Sequence, residues 1–349
     1  MQARGCGCGG ATGLQVGSSE MRTWSPVRDL TAAISWRDVV GGWRVRWGIG
    51  RMRYQVEPGL YRVGEPTPES PVLVTANYKL TVDTVRKTLW DLHVWLLILD
   101  TKGVNVWCAA GKGTFGTAEL VRRLHLTGLA QVVTHRRLIL PQLGAVGVAA
   151  HEVQRLTGFT VRYGPVLAWD IPAYLQSGSR ATPAMRRVPF GWKERLVLTP
   201  MELVGSWKAT LGILSALTVL HFLQHRALTP HLAGELVPVV GAVLAGGVLV
   251  PLLLPWIPGR AFAVKGAIIG VLWAALAHVL LPTGLLDGLG IALVVTALTS
   301  FMAMAFTGAT TFTTYAGTLL EVRWALPIIL ALAGAGCLLR LTALLTALA

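Results

Sequence analysis

A single cysteine, Cys108, lies in the most unusual segment of the chain, which reads Asn-Val-Trp-Cys-Ala-Ala-Gly-Lys from Asn105 to Lys112. Asn105 has the residue type of a helix N-cap, so Cys108 is predicted near the start of a short helix. A helix N-terminus stabilises negative charge, and a thiolate is both a nucleophile and a metal ligand. The alternative is an ordinary buried cysteine, because free cysteine is among the most buried residue types.

Residue types and spacing exclude two other kinds of site. A phosphate loop of the form G-x-x-x-x-G-K-[ST] needs Gly at 106 and Ser or Thr at 113, where the chain has Val106 and Gly113. The other cysteines have no spacing that builds a disulfide framework or a four-thiolate metal site. Cys6 and Cys8 are predicted in a glycine-rich tail, and Cys337 is predicted to be a packing residue.

Short apolar runs alternate with helix-like segments between residues 58 and 178, which indicates an α/β fold. The apolar runs begin at Val72, Val94, Arg137 and Thr160, and the helix-like segments lie near 81–90, 116–125 and 146–157. Such runs are typical of buried parallel strands, whose carboxyl ends carry ligand-binding loops. Four residues fall at these strand ends, where they can contact a ligand or form ordinary turns: Thr75, Asn77, Gln142 and Gly144.

The second half of the chain is almost uncharged, which excludes a fully soluble enzyme. Hydrophobic residues make up 53% of the whole chain, and residues 209–349 contain only 5 Lys+Arg and 3 Asp+Glu. Five apolar stretches follow Lys208, at 209–224, 236–257, 262–281, 289–310 and 324–346. Because about 20 apolar residues span a bilayer, these stretches predict five membrane-spanning helices.

These features predict four segments. They are a loosely ordered arm (1–55), an α/β domain (56–178), a basic juxtamembrane linker (179–208) and an all-α domain of five transmembrane helices (209–349). The linker mixes Arg and Lys with Trp, which favours the membrane interface over a solvated connection. Short loops on the side of the basic front module carry Arg260, Lys265 and Arg323. The positive-inside rule therefore predicts a protein of the cytoplasmic membrane, with its α/β domain in the cytoplasm.

Several segments together resemble a known family. They are Pro58–Gly64, Val72–Lys79, Asp100–Thr117, Leu140–Gly144 and Val148–Val153. This set is similar to the corrinoid protein of microbial mercury methylation, whose globular domain is similar to the corrinoid-binding domain of the corrinoid iron–sulfur protein of the acetyl-CoA pathway. The resemblance covers about residues 57–178, and the five apolar stretches also match the layout of the family. It implies a Rossmann-like corrinoid-binding α/β domain followed by the transmembrane domain.

The resemblance also implies a cofactor, a reaction and partners. The Cys108 thiolate would be the lower axial ligand of cobalt in a base-off, cobalamin-type corrinoid. A methyl group would pass from methyl-Co(III) to Hg(II), giving methylmercury. A ferredoxin with two [4Fe–4S] clusters would reduce the cobalt, and a methyl-folate-type donor would restore the methyl group. We expect a lipid bilayer as a further partner, no nucleic acid, and no iron–sulfur cluster in this chain.

Two alternatives remain open. The first is a membrane-bound corrinoid methyl carrier of one-carbon metabolism, and the second is a membrane platform whose α/β domain has lost cofactor chemistry. The residues expected around the corrinoid, besides Cys108, are Thr75, Asn77, Asn105, Val106, Trp107, Ala109, Ala110, Gly111, Lys112, Gln142 and Gly144. For Trp107 a place in the core is favoured over a contact with the corrin.

Overall fold

Short apolar runs of the chain pair as the strands of one sheet in the computed structural model, which describes residues 24–310 and 313–348. The strands are β1 (Arg28–Asp29), β2 (Gly59–Val63), β3 (Val72–Ala76), β4 (Val94–Leu99), β5 (Arg137–Leu140) and β6 (Thr160–Tyr163). Every residue of β3 and β4 is buried, as expected for strands covered on both faces. The four strands predicted from the sequence, β3 to β6, are confirmed.

The strand order of the sheet is β1-β2-β4-β3-β5-β6. Strands β4, β3, β5 and β6 run parallel to one another, whereas β2 lies antiparallel to β4. The sequence does not predict β2, because its five residues have no clear period and only pairing with β4 makes them a strand. From β3 the chain passes first to β4 on one side and later to β5 on the other. This change of direction is a topological switch point, where open α/β sheets bind ligands.

Seven helices belong to the α/β domain within the described residues. They are α1 (Trp36–Arg46), α2 (Lys79–Thr88), α3 (Val106–Gly111), α4 (Thr117–Thr127), α5 (Leu129–Val132), α6 (Ala150–Thr157) and α7 (Ile171–Gln176). The helices predicted near 81–90, 116–125 and 146–157 correspond to α2, α4 and α6. Apolar side chains of α3, α4 and α6 cover one face of the sheet, and those of α2 and α7 cover the other.

The prediction of a loosely ordered arm is wrong for residues 24–55. Strand β1 pairs with β2, and α1 begins with a capping box between Ser35 and Asp38. The Asp38 carboxylate accepts hydrogen bonds from Lys79 and Arg86 of α2, the latter at 2.7 Å. These partners are 41 and 48 residues away along the chain, so no local pattern reveals them. Cys6 and Cys8, predicted in a glycine-rich tail, lie outside the described residues.

The remainder of the described chain contains five helices long and apolar enough to cross a membrane. They span Trp192–His225, Leu232–Leu253, Phe262–Leu280, Leu285–Gly308 and Ala316–Thr346. The individual elements are α8 (Trp192–His225), α9 (Leu232–Leu244), α10 (Val250–Leu253), α11 (Phe262–Leu280), α12 (Leu285–Ala305) and α13 (Tyr315–Leu348), with a π-helical segment joining α9 to α10.

The predicted linker 179–208 is helical from Trp192 onward, which corrects that boundary. Helix α8 continues through Pro200 into the first apolar stretch. Its first turns pack along α10, where the Arg195 guanidinium donates a hydrogen bond of 3.1 Å to the carbonyl oxygen of Leu252. This tertiary contact places the start of α8 beside the second apolar helix. Local hydropathy could not predict it, because the two residues are far apart in sequence.

Four polar side chains of the apolar helices form one cluster. His221 Nδ1 lies 3.1 Å from Glu235 Oε1, and Arg340 contacts the same carboxylate at 3.2 Å. Arg340 also lies 3.7 Å from Asp287, so the cluster connects α8, α9, α12 and α13. An unpaired charge in an apolar environment is costly, and these contacts offset that cost. Cys337, predicted as a packing residue, is exposed on α13.

Asp38 gives the stability of the α/β domain a specific acid dependence. Burial alone would raise the pKa of Asp38, but hydrogen bonds from Lys79, Ser35 and Arg86 hold it well below the ordinary value of 3.8. A group with a lowered folded-state pKa contributes stability above its unfolded pKa and loses it as the pH falls through the folded value. Asp38→Asn should therefore cost about 2 kcal/mol at neutral pH, because Lys79 and Arg86 lose a buried anionic partner.

The difference in unfolding free energy between wild type and Asp38→Asn should shrink as the pH is lowered below about 4. Thermal unfolding followed by circular dichroism at several pH values measures it. The matched control is Asp91→Asn, since Asp91 is exposed. A pH-independent difference would contradict the assignment.

Candidate functional site

A buried amide organises the turn that carries the chain from β4 to the Cys108 segment. Asn77, at the end of β3, is 1% exposed. Its side-chain oxygen accepts hydrogen bonds from the backbone N–H groups of Thr101 (3.1 Å) and Gly103 (3.0 Å) and from the Thr101 hydroxyl (2.8 Å). Lys102 and Gly103 both have positive φ, at 57° and 70°, and these bonds stabilise that unusual pair. Asn77 therefore fixes where α3 begins.

Helix α3 presents Cys108 on its outward face. Asn105 is the N-cap, as predicted, and its side-chain oxygen accepts a 3.0 Å hydrogen bond from the backbone N–H of Cys108. Cys108 is exposed, so the alternative of an ordinary buried cysteine is wrong. The exposed thiol stands at the carboxyl edge of the sheet, in the first turn of α3 and within reach of a ligand.

The opposite face of α3 is made of small and β-branched residues that pack into the core. Val106, Ala109 and Ala110 are 7%, 0% and 5% exposed. Their spacing of three and four residues places them on one side of the helix, and it leaves Gly111 with Lys112 exposed on the other side. These three residues were expected to contact a corrinoid. In the structure they pack into the core and hold α3 on the domain.

Two glycines allow the turn after β5 to pack tightly against the segment following α3. A Cβ atom at Gly144 would lie 2.5 Å from the Phe115 ring, and one at Gly147 would lie 2.1 Å from the Phe115 carbonyl oxygen. Phe115 is fully buried beneath this turn. Gly144 therefore lies in the core, whereas Gln142 in the same turn accepts a hydrogen bond from Arg186.

A cavity of about 540 Å³ opens at the switch point of the sheet. Strands β3 and β5 are paired only at Val72 with Leu138 and Leu73 with Ile139. Beyond these pairs the strands separate, and side chains of both line the cavity. The lining is mostly apolar and includes the predicted residues Thr75, Asn105, Val106 and Trp107. It is the kind of concave apolar site that binds a large organic ligand.

Trp107 is not a core residue, contrary to the favoured prediction. Its side chain is 42% exposed and contributes to the cavity wall, beside the exposed Cys108. Trp107 is exposed because residues 107 and 108 lie on the outer face of α3. The inner face of the helix accommodates only small side chains. The apolar wall and the thiol are therefore neighbours on one helix.

The polar lining residues that sequence reasoning missed include Arg46 and Tyr78. Arg46 ends helix α1, which the sequence analysis placed in a loosely ordered arm. Tyr78 follows β3 directly and is 5% exposed. Its position after a strand end, the same signal that selected Thr75 and Asn77, could have identified it.

Comparison with known proteins gives the class of the domain that carries this site. Residues 50–175 match the family model described as CO dehydrogenase/acetyl-CoA synthase delta subunit. The matched range contains β2 to β6 and the Cys108 segment, and it ends before α8. The site thus belongs to an α/β domain related to subunits of the acetyl-CoA synthesis machinery.

Individual relatives agree with that class. The gamma subunit of the acetyl-CoA decarbonylase/synthase complex of Methanopyrus kandleri is 38% identical over 125 residues, which cover 35% of this chain and 26% of the relative. The gamma subunit from Archaeoglobus fulgidus is 34% identical over 128 residues, which cover 36% of this chain and 27% of that relative. The chain thus spans about a quarter of the length of these relatives. The relation to the acetyl-CoA pathway is supported, and the mercury branch of the resemblance stays a prediction.

The tight packing under α3 can be tested by adding single methyl groups. Gly147→Ala should lower the stability of the α/β domain by about 2 kcal/mol, because its Cβ would meet backbone oxygen and force a shift. Gly111→Ala is the matched control, since a Cβ there meets nothing within 4 Å. Thermal unfolding of the two variants should differ clearly. Equal stability would show that the turn adapts without cost.

Proposed function

We propose that this chain is a membrane-anchored corrinoid protein that takes part in methyl transfer, with the Cys108 thiolate as the lower axial ligand of cobalt. The observation that carries the proposal is the exposed thiol on α3 beside a large apolar cavity at the switch point of the sheet. The relation of residues 50–175 to acetyl-CoA pathway subunits supports it.

The residues around the cavity fit a corrinoid. A soft thiol is exposed next in sequence to Trp107 of the lining, and apolar side chains form the cavity wall. Two lining residues, Tyr78 and Arg46, each have a buried side-chain atom with no partner among the described residues, Tyr78 Oη and Arg46 Nε. A planar macrocycle with polar amide and phosphate groups needs this combination of surfaces. When bound, the corrinoid supplies a cobalt centre that can carry and release a methyl group.

The protein's own residues hold the ligand and exclude water. Asn105 orients the start of α3 and thereby Cys108, while Val106, Ala109 and Ala110 hold the helix in place. Trp107 and Thr75 cover the apolar side of the cavity. A rigid helix lowers the entropic cost of placing one sulfur atom at a fixed position, as preorganised metal ligands require.

The methyl acceptor has two candidates. A carbon acceptor in one-carbon metabolism is the first, because the matched family and the relatives belong by name to acetyl-CoA synthesis. Hg(II) is the second, and the observation that favours it is the exposed cysteine itself, since a thiolate donor favours release of methyl to a soft electrophilic metal. The ferredoxin-type reductant and the methyl-folate-type donor are expected in either case.

We also propose that the five long apolar helices span the cytoplasmic membrane. Their lengths of 19 to 34 residues are sufficient for a hydrocarbon core of about 30 Å. Arg260 lies just before α11, Lys265 lies in its first turn, and Arg323 lies in the third turn of α13. The positive-inside rule assigns the side that carries these basic residues to the cytoplasm. The α/β domain would then face the cytoplasm.

Cys108→Ala should abolish the thiolate–cobalt interaction without unfolding the domain. The side chain is exposed, so its removal leaves no core cavity. The visible spectrum of the corrinoid-loaded protein should lose its thiolate-dependent features, and methyl transfer should fall at least roughly 100-fold. Cys337→Ala, at an exposed position on α13, is the control. An unchanged spectrum in Cys108→Ala would overturn the assignment of the axial ligand.

The two acceptors can be distinguished with isotopically labelled methyl groups. Full-length protein carrying a labelled methyl-corrinoid is supplied anaerobically with either Hg(II) or an acetyl-CoA synthase with CO and coenzyme A. A carbon-metabolism carrier should deliver label to acetyl-CoA at a rate that depends on Cys108. Labelled methylmercury from wild type and none from Cys108→Ala, without labelled acetyl-CoA, would instead establish the second candidate.

A further inference from the structure

Two residues that line the cavity, Tyr78 and Arg46, each have a polar side-chain atom without a partner among the described residues. The Tyr78 hydroxyl and Arg46 Nε are buried and have no hydrogen-bond partner in the part of the chain that the structure describes. A buried polar group without a partner costs roughly 1–3 kcal/mol, so native structures satisfy nearly all of them. A bound ligand that accepts hydrogen bonds would remove this cost at both atoms.

The chemistry of these atoms selects an anion. Arg46 makes no ion pair with a carboxylate among residues 24–310 and 313–348. The Arg51 guanidinium lies 5.7 Å from the centre of the Tyr78 ring and adds positive charge. Burial raises the pKa of Tyr78, an effect that Arg51 and Arg46 oppose only in part, so the hydroxyl keeps its proton and can donate. Guanidinium and hydroxyl donors together are suited to phosphate.

We propose that Arg46 and Tyr78 form a phosphate subsite for the nucleotide loop of the bound corrinoid. The inference rests on the proposed function and adds the part of the ligand that these residues recognise. A corrinoid whose base is displaced by Cys108 has a free nucleotide loop, which contains one phosphodiester. Arg46 precedes residues 50–175, so the subsite uses a residue outside the range that matches the family.

Three corrinoids separate the phosphate from the rest of the ligand. Cobinamide lacks the loop, cobinamide phosphate carries the phosphate without the base, and cobalamin carries both. Dissociation constants for the full-length protein should rise about tenfold in Arg46→Gln for the two phosphate-bearing ligands and stay unchanged for cobinamide. Tyr78→Phe should show the same pattern with a smaller effect, and Arg46→Lys should recover part of the affinity. The control is Arg53→Gln, at a nearby exposed position.

Each other outcome has a definite meaning. Equal loss for all three ligands would show that Arg46 only supports the fold, and loss for cobalamin alone would show recognition of the base. Either result, or unchanged affinities, overturns the phosphate subsite. If wild type binds none of the three, the proposed function itself fails, and the subsite fails with it.

A second inference concerns the outer face of α1. Trp36, Trp43 and the following Trp47 are 71%, 62% and 41% exposed. Their spacing of seven and four residues places them on one face, opposite the half-buried Asp38 and the buried Val45. Three exposed indoles on one helix are more apolar surface than a solvated helix presents.

The position of α1 indicates what covers this face. Helix α1 contacts α8, and Gly48, just after α1, packs against Val204. Arg37 and Arg44 flank the tryptophans. Tryptophan and arginine together are typical of the boundary between an anionic bilayer and water. We infer that the tryptophan face of α1 lies in the headgroup layer of the membrane that α8 enters.

Site-specific labelling in nanodiscs tests the position of α1. An environment-sensitive fluorophore is attached to Trp43→Cys in a full-length background whose four cysteines are replaced by alanine. Leu156→Cys, exposed on α6, is the solvent control, and Leu338→Cys, exposed on α13, is the membrane control. The fluorescence emission of labels at positions 43 and 338 should shift to shorter wavelength, and brominated anionic lipid should quench it. The emission of the label at position 156 should show neither change.

The membrane control separates failure of this inference from failure of the membrane proposal. A label at 43 that behaves like the one at 156, while 338 is quenched, overturns the docking of α1. A blue shift at 43 without quenching means that protein covers the face, for instance a second copy of the chain, and also overturns it. Loss of quenching at 338 overturns membrane insertion, and with it this inference.

Discussion

The early separation of β3 and β5 is the constraint on which the site depends. Only two residue pairs join these strands, whereas β3 and β4 are paired over five. The missing pairing opens the carboxyl end of the sheet, and side chains of both strands line the cavity there. Because the crossovers from β3 diverge at this point, no connection crosses the opening. The cavity is therefore a consequence of strand order before any particular side chain is considered.

Helix α3 converts that opening into a site with a reactive group. It has only six residues, and its inner face consists of side chains small enough to lie directly on the core. The turn after β5 contributes Gly144 and Gly147, which let backbone pack against Phe115. Close packing on the inner side holds the outer side rigidly, so Trp107 lines the cavity and Cys108 beside it is exposed. Larger residues at either glycine would move the helix and the thiol.

Buried charge connects the first helix of the described chain to this site. Asp38 binds Lys79 and Arg86 of α2, and both cations also contact Asp83. The network anchors α1 by one face, which places Arg46 in the cavity wall and directs the tryptophans away from the domain. Partly buried ion pairs of this kind are costly to break by removing one partner. One anchored helix thereby links the proposed ligand site to the proposed membrane surface.

Local features of the sequence were sufficient to predict the four parallel strands β3 to β6, three of the helices, the cap at Asn105 and the five apolar helices, because each of these has a local period or a local hydrogen bond. It also selected Cys108 as the candidate ligand. Three properties depend on the folded structure: Cys108 and Trp107 are exposed, Asn77 orders the turn before α3, and Arg46 and Tyr78 line the cavity. Those properties depend on contacts between segments distant in sequence, such as Asp38 with Arg86, which no local pattern of residues encodes.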